Sequence, residues 1–253
     1  MGILNVTPDS FSDGGMYTDV RTAVAHGIEM EEQGASVIDI GAESTRPGSA
    51  PVSAEEEIRR LKPVLRDLVP SLSVPVSVDT MKAEVAEMCL SMGVGIVNDV
   101  NGLREEGMRE VCAGSDAYVI IMHMPGSMET VHRGDMDGGF AEEMRESLRG
   151  LTASALDAGI GKDRIILDPG IGFGTTFEQN TWILEHSSYF SDGVPVLSAS
   201  SRKRVIAAGF PDMDIDVASA EAACIAARSG ADMVRVHNVA VTKAALDRCF
   251  NRG

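Results

Sequence analysis

Met1-Gly-Ile-Leu-Asn-Val-Thr-Pro-Asp-Ser-Phe-Ser-Asp-Gly-Gly15 is the stretch from which the architecture is read. Its first four residues form a short apolar run of the kind that fills a buried strand. From Asn5 onward the chain follows no regular pattern for eleven residues. Pro8 fixes one φ angle, Gly14 and Gly15 free two others, and most side chains between carry hydroxyl, amide or carboxylate oxygens. Phe11 is the lone ring among them. A turn-rich connector capping the next helix is the ordinary reading of such composition. A solvated connector rarely needs so many ligand-type groups, however, and a core segment would leave them unsatisfied. The unit is a strand running out into a polar loop, and the rest of the chain repeats it.

Runs rich in β-formers recur at 2–4, 36–40, 74–78, 95–97, 117–122, 164–167, 194–198 and 233–236. Segments with helical spacing separate them at 19–33, 53–69, 80–92, 104–113, 140–158, 176–188, 201–208 with 216–229, and 239–250. Eight strands, each followed by a helix and with no break in composition, predict a single-domain (β/α)8 TIM barrel over residues 1–253. A doubly wound open sheet shares that periodicity and is the runner-up. Gly34-Ala35, Gly93-Val94 and Gly230-Ala231 stand before strands as helix C-caps. Residues 209–216 split the seventh helical unit as an exposed excursion, and 135–139 belong to a mobile fifth loop.

Composition narrows the function. Of 253 residues, 44% are hydrophobic and 24% charged, as expected of a chain that buries a sizeable core. Twenty-two basic residues against thirty-eight acidic give a formal charge of −16, which argues against nucleic acid or an anionic membrane as partner. No apolar run is long enough to span a bilayer, and no signal-peptide pattern opens the chain. Cys89, Cys112, Cys224 and Cys249 lie far apart without zinc or disulfide spacing, which predicts a reducing cytoplasm.

The predicted strand ends collect polar residues. They are Asn5; Asp39 followed by Glu43-Ser-Thr-Arg46; Asp79-Thr80; Asn98-Asp99; His123; Asp168-Pro-Gly-Ile-Gly-Phe-Gly174; Ser200-Ser-Arg-Lys203; and Arg235-Val-His-Asn238. One Asp before a helix is more often a cap than a ligand, and for Asp79 alone the two readings are even. Eight such ends are a binding site at the C-terminal face of a barrel. Asp79, Asn98 and Asp168 suit a flat heterocycle with several N–H donors and ring acceptors. Arg46, Arg202, Lys203, Arg235 and His237 form a cationic rim, and strands 7 and 8 are the usual phosphate-binding quarter. Ser200 or Ser201 opening a helix would add backbone N–H groups for an anion. Asn5 is a candidate ligand for a divalent ion bridging phosphate oxygens. Gly170-x-Gly172-x-Gly174 is a poor nucleotide fingerprint, because no helix opens within it.

In this order the motifs resemble those of the dihydropteroate synthases. Residues 1–15 are similar to the first signature of that family, and Asp39-Ile-Gly-Ala-Glu-Ser-Thr-Arg-Pro-Gly48 to the second. Val76-Ser-Val-Asp-Thr80, Asn98-Asp99, Met122-His-Met124, Asp168–Gly174, Ser201-Arg-Lys203 and Arg235-Val-His237 follow, covering the chain to its last strand. The resemblance implies a (β/α)8 barrel that joins p-aminobenzoate to 7,8-dihydropterin-6-ylmethyl diphosphate with Mg²⁺, in folate synthesis. It implies that Asp79, Asn98, Met122, Asp168, Phe173 and Lys203 bind the pterin. Asn5, Arg235 and His237 would hold the diphosphate, Asn5 through the metal. Phe11, Thr45, Pro47 and Arg204 would contact the arylamine. Asp13 and Arg46 would be brought in with Lys203 for catalysis on the first two loops, which are expected to be mobile until substrate arrives. A homodimer is the family habit, and the small-residue segment 218–227 is a candidate helix-packing surface.

The chain departs from the family pattern at Ala42, Ala199, Thr175 and Asn238, where Gly, Gly, Lys and Asp are common, and at Arg204, where many members have Ser. None of these removes a pterin or diphosphate contact, so they bear on the second substrate. Two rival readings follow: a relative using a larger arylamine or tolerating sulfonamides, and a non-catalytic pterin binder or pterin-dependent methyl-transfer relative. The loop at residues 5–15 argues against the last. His26, His132 and His186 read as surface or cap residues, and Glu55-Glu56-Glu57 as ordinary helix-dipole complementarity.

Overall fold

The computed structural model describes residues 1–6, 16–44, 50–126 and 139–250. Strands and helices alternate: β1 (Gly2–Asn5), α1 (Met16–Glu32), β2 (Ile38–Gly41), α2 (Ala54–Leu68), β3 (Val76–Asp79), α3 (Ala83–Ser91), β4 (Ile96–Asp99) and α4 (Met108–Ala113). They continue with β5 (Tyr118–Met122), α5 (Phe140–Asp157), β6 (Ile165–Asp168), α6 (Phe177–Glu185), β7 (Leu197–Ser198), α7 (Arg204–Gly209), α8 (Ile215–Arg228), β8 (Met233–Val234) and α9 (Val239–Phe250). Strands β1 to β6 pair in chain order, all parallel, and β7 pairs with β8.

Backbone bonds join the two groups of strands into the predicted barrel. Leu167 N–H donates to Pro195 O at 2.9 Å, between β6 and the approach to β7. On the other side Ile3 N–H donates to Val236 O at 2.9 Å and Val236 N–H to Met1 O at 3.0 Å. Alternation along each strand sorts the apolar residues into two layers. Val37, Ile96, Ile120, Ile166 and Leu197 meet inside the barrel as a floor. Ile38, Ile40, Val76, Val78, Val97, Val119, Ile121 and Leu167 face outward into the larger core under the helices. Both strand faces are therefore apolar, as a parallel sheet covered by helices requires.

Local chemistry sets the helix ends. After α1, Gly34 N–H bonds Glu31 O and Ala35 N–H bonds Met30 O, and Gly34 takes the φ of +98° that this reversal needs. The same pair of bonds follows α3 at Gly93-Val94 and α8 at Gly230-Ala231, as the sequence predicts. Thr176 and Gln179 cap α6 reciprocally, so that helix begins beyond Gly174 and the Gly-x-Gly-x-Gly run indeed opens no helix. The expected excursion between α7 and α8 is present, and Pro211 to Asp214 are exposed. Helix α8 buries its small-residue face within the chain, where Ala220 and Cys224 pack on Ala245 of α9.

Candidate active site

Strand register carries the predicted polar residues to one end of the barrel. Asn5 lies beside Gly41, Gly41 beside Asp79, and Asp79 beside Asn98, one rung across four strands. Met122 lies beside Asp168 on the next pair of strands. Asn98 and Asp168 are buried, and Asn5 and Asp79 are half-buried.

Arg235 reaches into this ring. Its Nε donates to Asp39 Oδ2 at 2.5 Å and its Nη2 to Asp79 Oδ2 at 2.6 Å. The same Asp39 oxygen accepts from Asn98 Nδ2 at 3.2 Å. This corrects two expectations. Arg235 is no simple rim cation, since its guanidinium sits between two carboxylates. Nor does Asp79 cap a helix: Lys82 holds the N-cap position of α3. Burial pushes the Asp79 carboxyl well above the usual carboxylate range, and Arg235 pulls it back. Burial works against the Arg235 charge, but Asp39 and Asp79 more than offset it and hold the guanidinium protonated.

Across the mouth, Lys203 Nζ donates to Ile171 O at 2.6 Å and lies 4.8 Å from the centroid of the Phe173 ring. Burial lowers the ammonium to about 8, with Asp168 opposing the shift. Asp168 is raised by burial, and Lys203 and a bond from Gly170 N–H at 2.7 Å restrain that rise. Phe173, Met122, Met124 and Val100 form an apolar cluster beside these charges. Gly170 is required there: its φ is +80°, and a Cβ would stand 2.2 Å from His123 O. His123 itself is buried, and burial pushes its imidazole down to about 4, so the ring is neutral. Alternation after Met122 turns it toward the helices rather than the barrel axis.

His237 sits at the exit of β8, its ring Nδ1 3.0 Å from Ser201 Oγ, while its backbone N–H donates to the same hydroxyl at 3.2 Å. The two contacts to one hydroxyl orient the ring, and the direction of the bond to Nδ1 follows the tautomer of the imidazole. Ser201 therefore serves His237 and opens no helix, because α7 starts at Arg204. The other expected cations fall elsewhere. Arg202 pairs with Asp216 of α8 at 2.6 and 2.9 Å, and Arg204 is exposed. Phe11, Asp13, Thr45, Arg46 and Pro47, the expected mobility of the first two loops, and most of the fifth loop lie outside the described residues.

Two further groups were not assigned from sequence. Asp39, fully buried, joins Arg235 to Asn98. Glu57, also fully buried, pairs with Lys82 and accepts from Thr80 Oγ1 at 3.1 Å. Lys82 bonds Glu43 at 2.5 Å, and Glu43 accepts from Val52 N–H at 3.0 Å, which clasps together the two feet of the second loop. Glu57 is thus more than a dipole-matching acid. Alternation along β2 is the signal that would have found Asp39 on the inner face, but nothing local distinguishes Glu57 from Glu55 and Glu56.

The departures from the family pattern have local partners. Ala42 is buried and its carbonyl accepts from Arg60 at 2.8 Å. Thr175 bonds Asn180 at 2.8 Å, and Asn238 bonds Asp216 at 3.0 Å while accepting from Val241 N–H. Among the described residues no three His, Cys, Asp or Glu side chains converge on a metal position. The arrangement offers carboxylates and an amide for a polar heterocycle, an apolar wall for its faces, and half-buried cations for negative charge.

Comparison with known proteins agrees with this chemistry. The family described as "Pterin binding enzyme" matches residues 1–237. A dihydropteroate synthase of Bacillus subtilis is 39% identical over 260 residues, covering 100% of this chain and 89% of the relative. The structure of Xanthomonas albilineans dihydropteroate synthase with 4-aminobenzoic acid is 42% identical, with a TM-score of 0.91, covering 98% of this chain and 90% of that one. Another structure of that enzyme, in complex with 7,8-dihydropteroate, is 40% identical, with a TM-score of 0.87 and the same coverage.

Proposed function

Since the chain belongs to the pterin-binding enzyme family, among its dihydropteroate synthases, we propose that its barrel mouth makes 7,8-dihydropteroate. It joins p-aminobenzoate to 7,8-dihydropterin-6-ylmethyl diphosphate and releases diphosphate. The observation that carries the reading is the convergence of Asp79, Asn98, Asp168 and Lys203 from four strand ends beside the wall of Met122 and Phe173.

In this reading Asp79, Asn98 and Asp168 hydrogen-bond the polar edge of the pterin, and Met122 and Phe173 cover its faces. Arg235 and His237 receive the diphosphate. The C–O bond to diphosphate breaks first, and the leaving group takes the electron pair. The methylene carbon becomes a cation delocalised into the pterin, and buried carboxylates stabilise its charge. The arylamine nitrogen attacks with its lone pair and then sheds a proton to water or diphosphate. No strong base is needed, because the amine is nucleophilic when neutral and acidic once alkylated. Asp13 and Arg46 are assigned to catalysis with Lys203, and Phe11, Thr45, Pro47 and Arg204 to the arylamine, on the resemblance of the motifs alone.

Among the described residues the site fits magnesium as an ion carried by the substrate. Asn5, at the end of β1, would supply one amide oxygen, and the described residues hold no cage of carboxylates. An ion coordinated mainly by diphosphate oxygens and water needs no more from the protein. When bound it would neutralise charge on the leaving group. A homodimer and a cytoplasmic setting complete the proposal; no described helix is long and apolar enough to cross a membrane.

A diphosphate-release assay with pterin diphosphate, Mg²⁺ and p-aminobenzoate tests this function. Release that depends on both organic substrates is expected. Absence of release despite tight pterin binding would refute it, and release only with a larger arylamine would move the assignment to the rival branch.

A further inference from the structure

Asp39 has no place in the chemistry above, yet it touches both halves of the site. It lies on β2 in register with Ile3 and Ser77, inside the barrel and fully buried. Its Oδ2 accepts from Asn98 Nδ2 at 3.2 Å and from Arg235 Nε at 2.5 Å. A carboxylate accepts and does not donate, so it fixes the amide of Asn98 with the NH₂ group toward Asp39. The Asn98 carbonyl is left for a donor in the ligand. A carboxylate at Nε likewise anchors the guanidinium by its inner edge. The Nη2 end then meets Asp79 Oδ2 at 2.6 Å, the carboxylate assigned here to the pterin. A ligand N–H that reaches Asp79 must compete with Arg235 for it. A guanidinium held only at Asp79 would be lost to the site by that competition, whereas one anchored at Asp39 turns about Nε.

We propose that Asp39 is a positioning residue for the pterin substrate. It orients the Asn98 carbonyl and serves as the fixed pivot from which Arg235 exchanges Asp79 for the diphosphate. The proposal rests on the pterin-binding reading of the barrel mouth. It predicts coupling between two recognition events that the residue itself never touches. Asp39 Oδ1 and Ser77 Oγ, neighbours on the same face, are both buried without a hydrogen-bond partner among the described residues, where the carboxylate is committed through one oxygen.

The test uses Asp39→Asn, which keeps shape and removes charge, with 6-hydroxymethyl-7,8-dihydropterin as a probe lacking diphosphate. Calorimetry should show the probe bound roughly 10-fold or more weaker, as expected for a lost charged hydrogen bond. The KM for pterin diphosphate should rise at least as far, while the KM for p-aminobenzoate stays within about twofold. In the Asn98→Ala background the same substitution should cost the probe far less, since the amide it orients is gone. An equal loss toward both substrates, or full additivity with Asn98→Ala, would mean a merely structural role and overturn the proposal. A wild-type chain that fails to bind the probe would instead refute the pocket assignment. Should the variant not fold, the wild-type Arg235 Nε–H, followed by nuclear magnetic resonance, decides. Persistent protection from exchange on saturation with the probe is expected, and exchange at the rate of a free arginine side chain contradicts the pivot.

Discussion

Lys203 carries a charge at the barrel mouth that is lost just above neutral pH. Burial brings its ammonium to about 8, while Asp168 and Asp79 favour the charged form and Arg235 opposes it. The cation is therefore present below pH 8 and lost above it. The value of kcat/KM for pterin diphosphate should fall as pH rises through about 8, and Lys203→Arg, whose guanidinium stays charged, should remove that limb. A pH–rate profile of both proteins checks this. Lys203, Asp79, Asn98 and Asp168 were legible in the sequence because each stands where an apolar run stops. Glu57 was not, because a Glu in the first turn of a helix looks the same whether it faces water or the core. Its burial beside Lys82 gives a second prediction: Glu57→Ala leaves that ammonium half-paired and should cost about 3 kcal/mol in a denaturation experiment.

The β5 and β6 exits depend on each other. His123 N–H donates to Asp168 O at 2.8 Å, and the chain then turns at Gly170 against His123 O. Gly170→Ala has neither the φ nor the space it needs and should destabilise the protein by about 2 kcal/mol or more, read as a fall in Tm. Pterin affinity should fall with it, since Asp168 is positioned by the same turn. Strands and helices were readable here because the period changes from 2 to 3.6 between Gly-marked joints. The excursion before α8 was readable for the same reason. Side-chain traffic across the elements was not: Arg202 and Arg235 both follow a strand end, but Asp216 draws the first to the helices and Asp39 the second to the axis. Only tertiary placement of the acids separates them.

Eight βα units, counted from periodicity, close into a barrel whose last strands are short and joined to their neighbours by a few backbone bonds. The count distinguished barrel from open sheet weakly, and the bonds of Val236 to Met1 and Ile3 decide it. In a chain of formal charge −16 the cations at the barrel mouth are few and local, and Arg235 is held there by two acids, Asp39 and Asp79. The acidic average argues against nucleic acid and membrane as partners, but by itself gives no hint that Arg235 and Lys203 are gathered at one opening. The central claim is that this opening is a pterin site built before any second substrate arrives. Titrating 6-hydroxymethyl-7,8-dihydropterin into the full chain by calorimetry, without metal or arylamine, tests it most directly. The wild type should bind one equivalent and Asp168→Ala should lose roughly 100-fold or more in affinity while remaining folded. Equal binding by the two proteins, or none by the wild type, would contradict the account.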